Sequence, residues 1–420
     1  MNQETPHNKM PVGALIRTYG YKLKDKVKYF DIPLLLVTFV LIIFGLIMIT
    51  SATSGTSITG EINQPWAFLK PQLFSVGLGL VIFLIMMAVP QQWLANPLLH
   101  LLALGIVFLL LIYTAFAGEV RNGAKSWIQV GSFSLQISEY LKPIAVLVYA
   151  WVLAKLSEEV RLFKTQHLVL FRWSIVGLSI LCLFLIALQP DFGMVAIILA
   201  IIIIMILVSK VSLKINLALL GIGGLAYAGL LIYFSNYQGQ SDSYQINRFL
   251  AMVNPFNFRQ GIGYQLVNGY YAMSRGGWFG VGLGQGQMKN GLLPEIQTDF
   301  IFAHIGEELG IFGLAFLLGL FAFLLYRLFY WAGQAQSQFS SLVLFGLGVL
   351  FFIQITVNVG GVLGLIPLTG VTLPFISYGG SSVLNFMLTL ALAQKMIYTE
   401  KRSRKPEINV VYSRYQGGKS

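Results

Sequence analysis

Ten stretches of about twenty apolar residues succeed one another between residues 30 and 400, and no water-soluble fold can bury so many of them. Twenty residues of α-helix rise about 30 Å, the thickness of a bilayer's hydrocarbon core, so each stretch is expected to cross a membrane. The spans are placed near 32–53, 71–90, 97–117, 138–156, 170–188, 191–209, 214–234, 299–325, 340–360 and 377–397. Composition agrees, with 56% hydrophobic and 10% charged residues against roughly a quarter charged in soluble domains. The expected fold is all-α: a polytopic membrane domain over 31–400, a basic segment over 1–30 and a basic tail over 401–420. The first span follows Lys22, Lys24, Lys26 and Lys28, but it is longer than a signal-peptide core and no small-residue cleavage pattern follows it. It is expected to stay as a helix.

Lysine and arginine flanks remain cytoplasmic, which orients the chain. With the N-terminus inside, the inner segments carry 20 of the 28 basic residues, so both termini are expected in the cytoplasm. The net charge of +12 therefore sits in short juxtamembrane runs, which argues against nucleic-acid binding and for contact with anionic lipid. A lone Cys182 excludes an intramolecular disulfide, and the four histidines are scattered without metal-ligand spacing. The segment GLGQGQ at 282–287 lacks the Lys-Ser/Thr ending and strand-turn-helix setting of a nucleotide loop.

Three connections on the outer side stand out, over 118–137, over 235–298 between the seventh and eighth spans, and over 360–376. The third belongs to a longer apolar run, 360–382, broken by Pro367, Pro374 and several glycines. Non-helical backbone at membrane depth survives only against protein or a water-filled cavity, so this run is expected to re-enter the membrane and line a polar cavity.

Charge within or at the lip of a span costs roughly 2.5 to 3.5 kcal/mol, and each such residue is a candidate for function. The outward set is Glu119, Glu139, Lys142, Asp191, Glu295, Asp299, Glu307 and Glu308, with Arg248, Arg259 and Arg275 in the long loop. In PEIQTDFIFAHIGEELG, Thr298 or Asp299 is expected to cap the eighth helix, whose positive end favours a carboxylate. Glu307 and Glu308 lie about 12 to 13 Å further along that helix and are expected to make polar contacts within the bundle. Glu139 and Lys142, three residues apart, share a helix face; a local ion pair and a ligand-contacting lysine are both open readings. Trp127 reads as an interfacial anchor or as a platform for a sugar ring.

Four motifs, GAKSWIQVGSFSLQISEYLKP at 123–143, QPDFG at 189–193, GYQLVNGYYAMSRGGWFGVGLGQ with LPEIQTDFIFAHIGEELG within 263–310, and LPFISYGGSS at 373–382, resemble the SEDS proteins of bacterial elongation, division and sporulation. The likeness covers about residues 30–400, and the long loop is more similar to the division member than to the elongation member. The resemblance implies a peptidoglycan glycosyltransferase of the inner membrane that polymerises lipid II at the septum. It also implies a class B penicillin-binding transpeptidase and other division proteins as partners. Carried over by position, it gives Asp299 as the essential acidic residue, expected to act as the general base, Trp127 as the loop tryptophan and Glu139 with Lys142 as the charged pair. Arg248 matches a basic position early in the large loop. Where the family often has two basic residues before the tryptophan, this chain has Lys125 and Ser126; Arg121 or Arg275 would compensate. Ser377, Gly379 and Gly380 of the last motif complete the expected substrate-binding set. No cofactor is demanded, although a divalent cation, Mg or Mn, is compatible with a pyrophosphate leaving group. The rivals are a lipid II flippase, an elongation-type polymerase and a scaffold for division partners.

Overall fold

An apolar segment surrounded by lipid must satisfy its amides within itself, and the α-helix is the local way to do so. In the computed structural model the described residues are 28–55, 64–121, 124–131, 133–159, 166–209 and 244–404, with the isolated residues 221 and 229. Among them, helices α1 (Ile32–Ala52), α2 (Trp66–Ala88), a short α3 (Gln91–Leu94), α4 (Pro97–Ala117), α5 (Ile137–Glu159), α6 (Gln166–Leu188) and α7 (Phe192–Val208) come first. They are followed by α8 (Tyr244–Val253), α9 (Tyr264–Gly276), α10 (Ile301–Gln334), α11 (Gln338–Val362) and α12 (Gly380–Ser403). Nine of the ten expected spans thus coincide with helices; the seventh, 214–234, lies outside the described residues apart from 221 and 229, and residues 1–27 and 405–420 lie wholly outside them. Large side chains such as Phe39, Leu84 and Phe116 point outward, as they do where the solvent is lipid.

The two ends of the bundle are held differently. At one end buried Asp31 caps α1 by accepting from Leu34 N at 2.9 Å, and its carboxylate also accepts from Arg327 and Trp331 of α10. Burial alone would raise its pKa; the Arg327 guanidinium, the Leu34 amide and the Trp331 indole outweigh burial and hold it below the usual carboxylate range. Gln394 of α12 closes the junction with two hydrogen bonds to the Asp31 backbone, at 2.9 and 3.1 Å. Glu400 accepts from the amides of Gln336 and Ser337 nearby, tying the turn between α10 and α11 to the end of α12.

The opposite end carries the non-helical parts. Residues 118–137, expected as a loop in an all-helical fold, form an antiparallel sheet of β1 (Glu119–Arg121), β2 (Ala124–Val130) and β3 (Phe133–Gln136) in that order. In β3, Phe133 and Leu135 alternate with Ser134 and Gln136, the two-residue period of a strand with one apolar face, and Gly131 at φ 60° makes the turn from β2.

Helix α10 is two helices. Gly310 has φ 66° and ψ −165°, a backbone that an L side chain resists, and the chain breaks there. The carbonyls of Glu307 and Glu308, freed by the break, accept from Val281 and Gly282, while Ile311 and Phe312 donate to Gly277 and Trp278. The carboxylates of the same two residues turn to that loop. Glu307 accepts from the amides of Gln287 and Met288, and Glu308 from those of Gly284 and Gly286, from Ser51 of α1 at 2.6 Å and from Lys289 at 3.3 Å. The pair does make polar contacts in the bundle, and their object is the loop that precedes α10.

Candidate active site

Between the sheet and the start of α10 lies a cavity of about 460 Å³. The β2–β3 register sets Trp127 opposite Gln136, and both face into it. Asp191 forms the adjoining wall. Its Oδ1 caps α7 by accepting from Met194 N, while Oδ2 accepts from Gln136 at 3.0 Å and from Ser138 and Ser126 at 3.4 and 3.5 Å. Burial, with Glu139 adding to it, pushes this carboxyl above its ordinary range against the opposing hydrogen bonds.

The facing wall is the segment before α10. Glu295 carries φ 54°, and its carbonyl accepts from Thr298 N at 3.1 Å and Phe300 N at 3.3 Å, folding the chain back so that Asp299 meets the cavity. The cap position of α10 is Phe300, and no side chain caps the helix. The expected cap by Thr298 or Asp299 is therefore replaced by another arrangement: Thr298 Oγ donates to Glu295, and the Asp299 carboxyl is turned to the cavity. Without the cap's stabilisation, burial dominates and pushes the Asp299 carboxyl up to about 6. Glu295 raises it further, while Thr298 and the Arg248 charge oppose the rise.

A third wall comes from 363–379, which forms no helix and is buried over residues 373–377. Amide side chains of the core hold it, as backbone buried in a bundle requires. Asn358 donates to Val371 O at 2.7 Å and Asp299 O at 3.0 Å, and Gln354 donates to Thr372 O. Ser377 Oγ donates to Thr298 O at 2.6 Å, Tyr378 N donates to Gln297 O at 2.8 Å, and Gln72 of α2 bonds Ser377 O and Gly379 N. Thr369, Gly370, Gly379 and Gly380 reach the cavity from this segment and the start of α12.

A second cavity of about 300 Å³ adjoins the first, and Asp299 and Glu295 line both. Arg248 and Asn247 of α8 and Tyr264 of α9 form its other side. The two carboxylates therefore stand at a partition, with an acidic and polar chamber on one side and an arginine on the other.

A profile for the family described as "Cell cycle protein", which groups FtsW, RodA and SpoVE, matches residues 32–402. The chain belongs to this family. A protein named probable peptidoglycan glycosyltransferase FtsW from Bacillus subtilis is 36% identical over 91% of this chain and 95% of its own length. Stage V sporulation protein E of the same organism is 36% identical over 86% of the chain and 95% of its length. A solved structure described as "Structural coordination of polymerization and crosslinking by a peptidoglycan synthase complex" superposes with a TM-score of 0.67 at 25% identity. It covers 89% of this chain and 98% of that one.

Of the residues that the FtsW/RodA/SpoVE resemblance singles out, Asp299, Trp127, Glu139, Gly379 and Gly380 line the first cavity, and Arg248 lines the second. Lys142 does not reach either. It is fully buried behind Glu139, donating to Glu139 Oε1 and Gln354 Oε1 at 2.9 Å each, while Asn385 donates to Glu139 Oε2. Lys125 turns its ammonium to Phe116 O, Arg275 bonds Gln287 and sits 3.7 Å from Glu307, and Ser377 is inside the wall. Arg121 ends β1, and its side chain is outside the described set. Asp191 and Glu295, candidates as charges at the lip of a span but not among the residues the resemblance carries over, line the cavity, and so do Gln136 and Ser381, which the sequence did not single out. The proline before Asp191 and the apolar run after it are the signal of a helix cap, which the cavity then shares. Among the described residues no three acidic, His or Cys side chains are grouped to hold a metal ion.

Proposed function

We propose that this multi-pass membrane protein is a peptidoglycan glycosyltransferase that extends glycan strands from lipid II on the outer face of the cytoplasmic membrane. The reaction makes one bond and breaks one: an acceptor sugar hydroxyl attacks the donor's anomeric carbon as the lipid pyrophosphate departs with the bonding pair. Such a hydroxyl needs a base positioned at the reacting atoms, and a base of pKa near 6 is ionised at neutral pH yet able to take a proton. The placement of Asp299 in the partition between two cavities is the observation that carries the reading. Arg248 stands on the side where negative charge would grow on a leaving pyrophosphate, and Trp127 offers a face for a sugar in the other chamber.

The partner is a class B penicillin-binding transpeptidase, by analogy with the solved complex that couples polymerisation to crosslinking. The similarity to relatives named FtsW supports a place at the division septum. The deciding experiment is polymerisation of lipid II by purified protein, with and without the transpeptidase. Glycan strands from the wild type and a loss of at least about 100-fold in Asp299→Asn support the reading. Transport without polymer would establish the flippase instead.

A further inference from the structure

The start of α12 meets the first cavity with hydrogen-bond donors that no described residue uses. Gly379 is its cap position, no side chain caps the helix, and no acidic residue stands in its first turn. The first amide to find a carbonyl is that of Val383, bonded to Gly379 O at 3.0 Å. Among the described residues the amides of Gly380, Ser381 and Ser382 therefore have no partner. The hydroxyls divide in the same way. Ser381 Oγ is engaged, accepting from Gln136 N and donating to Ser134 O, which fixes α12 to β3. Ser382 is only 8% exposed and its hydroxyl bonds no described residue, and the buried Thr372 Oγ1 is likewise without a partner among them. Both residues line the cavity beside Gly379, where an added Cβ would stand 3.5 Å from Thr372 Cγ2 and 3.7 Å from Ser382 Oγ.

Free amides and hydroxyls at the positive end of a long helix, which carries about half an elementary charge, suit an anion with several oxygens. The carboxylates that line the cavity are engaged elsewhere. Glu139, bonded to α12 through Asn385, has its charge matched by Lys142 at 2.9 Å. Asp191 directs its oxygens to Met194 N, Gln136 and Ser138, and Glu295 and Asp299 belong to the facing wall. We propose that the start of α12, with Ser382 and Thr372, is a phosphate cradle that holds the pyrophosphate of the acceptor lipid II. The inference rests on the polymerase reading, in which two lipid-linked substrates meet at Asp299 and each carries a pyrophosphate. Arg248 faces the one that leaves. The other stays bonded to the acceptor, at the opposite end of its disaccharide from the reacting 4-hydroxyl. The cradle fixes the acceptor by the end that does not react and sets that hydroxyl towards Asp299; no bond is made or broken at the cradle itself.

The test uses the purified full chain with two substrates: lipid II blocked at its 4-hydroxyl, which can serve only as donor, and unblocked lipid II as acceptor. Formation of the mixed product, resolved by mass, gives a KM for each. Ser382→Ala removes the free hydroxyl, and Gly379→Ala fills the cradle with a methyl that meets no neighbouring side chain closer than 3.5 Å. Each is expected to raise the acceptor KM about tenfold, with the donor KM and kcat within about twofold. Ser382→Thr keeps the hydroxyl and is expected to hold the acceptor KM within about twofold of the wild type. Melting temperatures tell a folding loss from a lost contact, and if Gly379→Ala melts early, Ser382→Ala decides. An unchanged acceptor KM in either folded variant, while Asp299→Asn is inactive, overturns the cradle and leaves the polymerase reading standing. A rise in the donor KM alone puts the leaving pyrophosphate at α12 and overturns the assignment to the acceptor. Absence of mixed product from the wild type overturns the polymerase reading and the acceptor cradle with it.

Discussion

The Lys142 ammonium, closed to solvent, lies 2.9 Å from Glu139 Oε1 of a nearly buried carboxylate at the cavity wall, with Gln354 and Asn385 completing the shell. Removing one partner of such a pair leaves the other charge buried and uncompensated, at a cost of about 3 to 5 kcal/mol. Lys142→Met and Glu139→Gln are therefore each expected to lower the melting temperature in detergent, and the double variant to recover much of the loss. A folded double variant that still polymerises lipid II would show that Lys142 acts by holding α5 against Gln354 of α11 and not by touching substrate.

Hydropathy made the spans legible because lipid imposes a composition that no packing detail can override, and the helices of α1, α4 and α7 begin within a residue or two of their expected starts. The sheet at 119–136 was not legible, since strands of three to seven residues leave too short a pattern beside long apolar runs. The break at Gly310 was hidden for a different reason. Glycine is tolerated within helices, and apolar sequence continues on both sides, so only the loop that fills the gap reveals it. Asp299 and Glu139 were recoverable as costly charges. What sequence could not supply is direction: both Lys142 and Glu139 sit on one helix face, yet one meets the cavity and the other the core.

Gly310 gives a prediction of its own. A Cβ there would fall 2.4 Å from Gly280 N and 2.5 Å from Trp278 O, and φ is left-handed as well. Gly310→Ala must then expel the 277–282 crossover or bend α10, and the contacts of Glu307 and Glu308 with that loop go with it. Limited proteolysis is expected to cut within 277–290 in the variant and to spare the wild type, with polymerisation reduced. Equal protection of both would mean the break is not held by that crossover.

Sidedness follows from the same two ends. Gln129 is exposed near the hairpin turn, Ser403 is exposed at the end of α12, and the native Cys182 is fully buried. From the distribution of lysine and arginine the hairpin end is expected outside. A membrane-impermeant maleimide applied to intact cells is expected to label Gln129→Cys and not Ser403→Cys, with the second labelled only after lysis. The reverse pattern would place the Asp299 cavity on the cytoplasmic side and remove the reading of outer-face polymerisation.

The Asp299 carboxyl, pushed up to about 6 from an ordinary 3.8, links activity and stability with opposite signs. The base works only when ionised, so turnover is expected to rise with pH through about 6 and then level. Burial penalises the ionised form in the folded state, and the folded chain therefore holds its proton more tightly than the unfolded one. That excess of bound protons makes stability fall as pH rises from 3.8 to about 6, with the full penalty present above. Asp299→Asn carries no such penalty. It is expected to melt higher than the wild type at pH 7.5, with a difference that shrinks as pH falls towards 3.8, while its turnover stays low throughout. A variant that melts at the wild-type temperature at every pH would show that the carboxyl is solvated, and the source of its raised pKa would have to lie elsewhere.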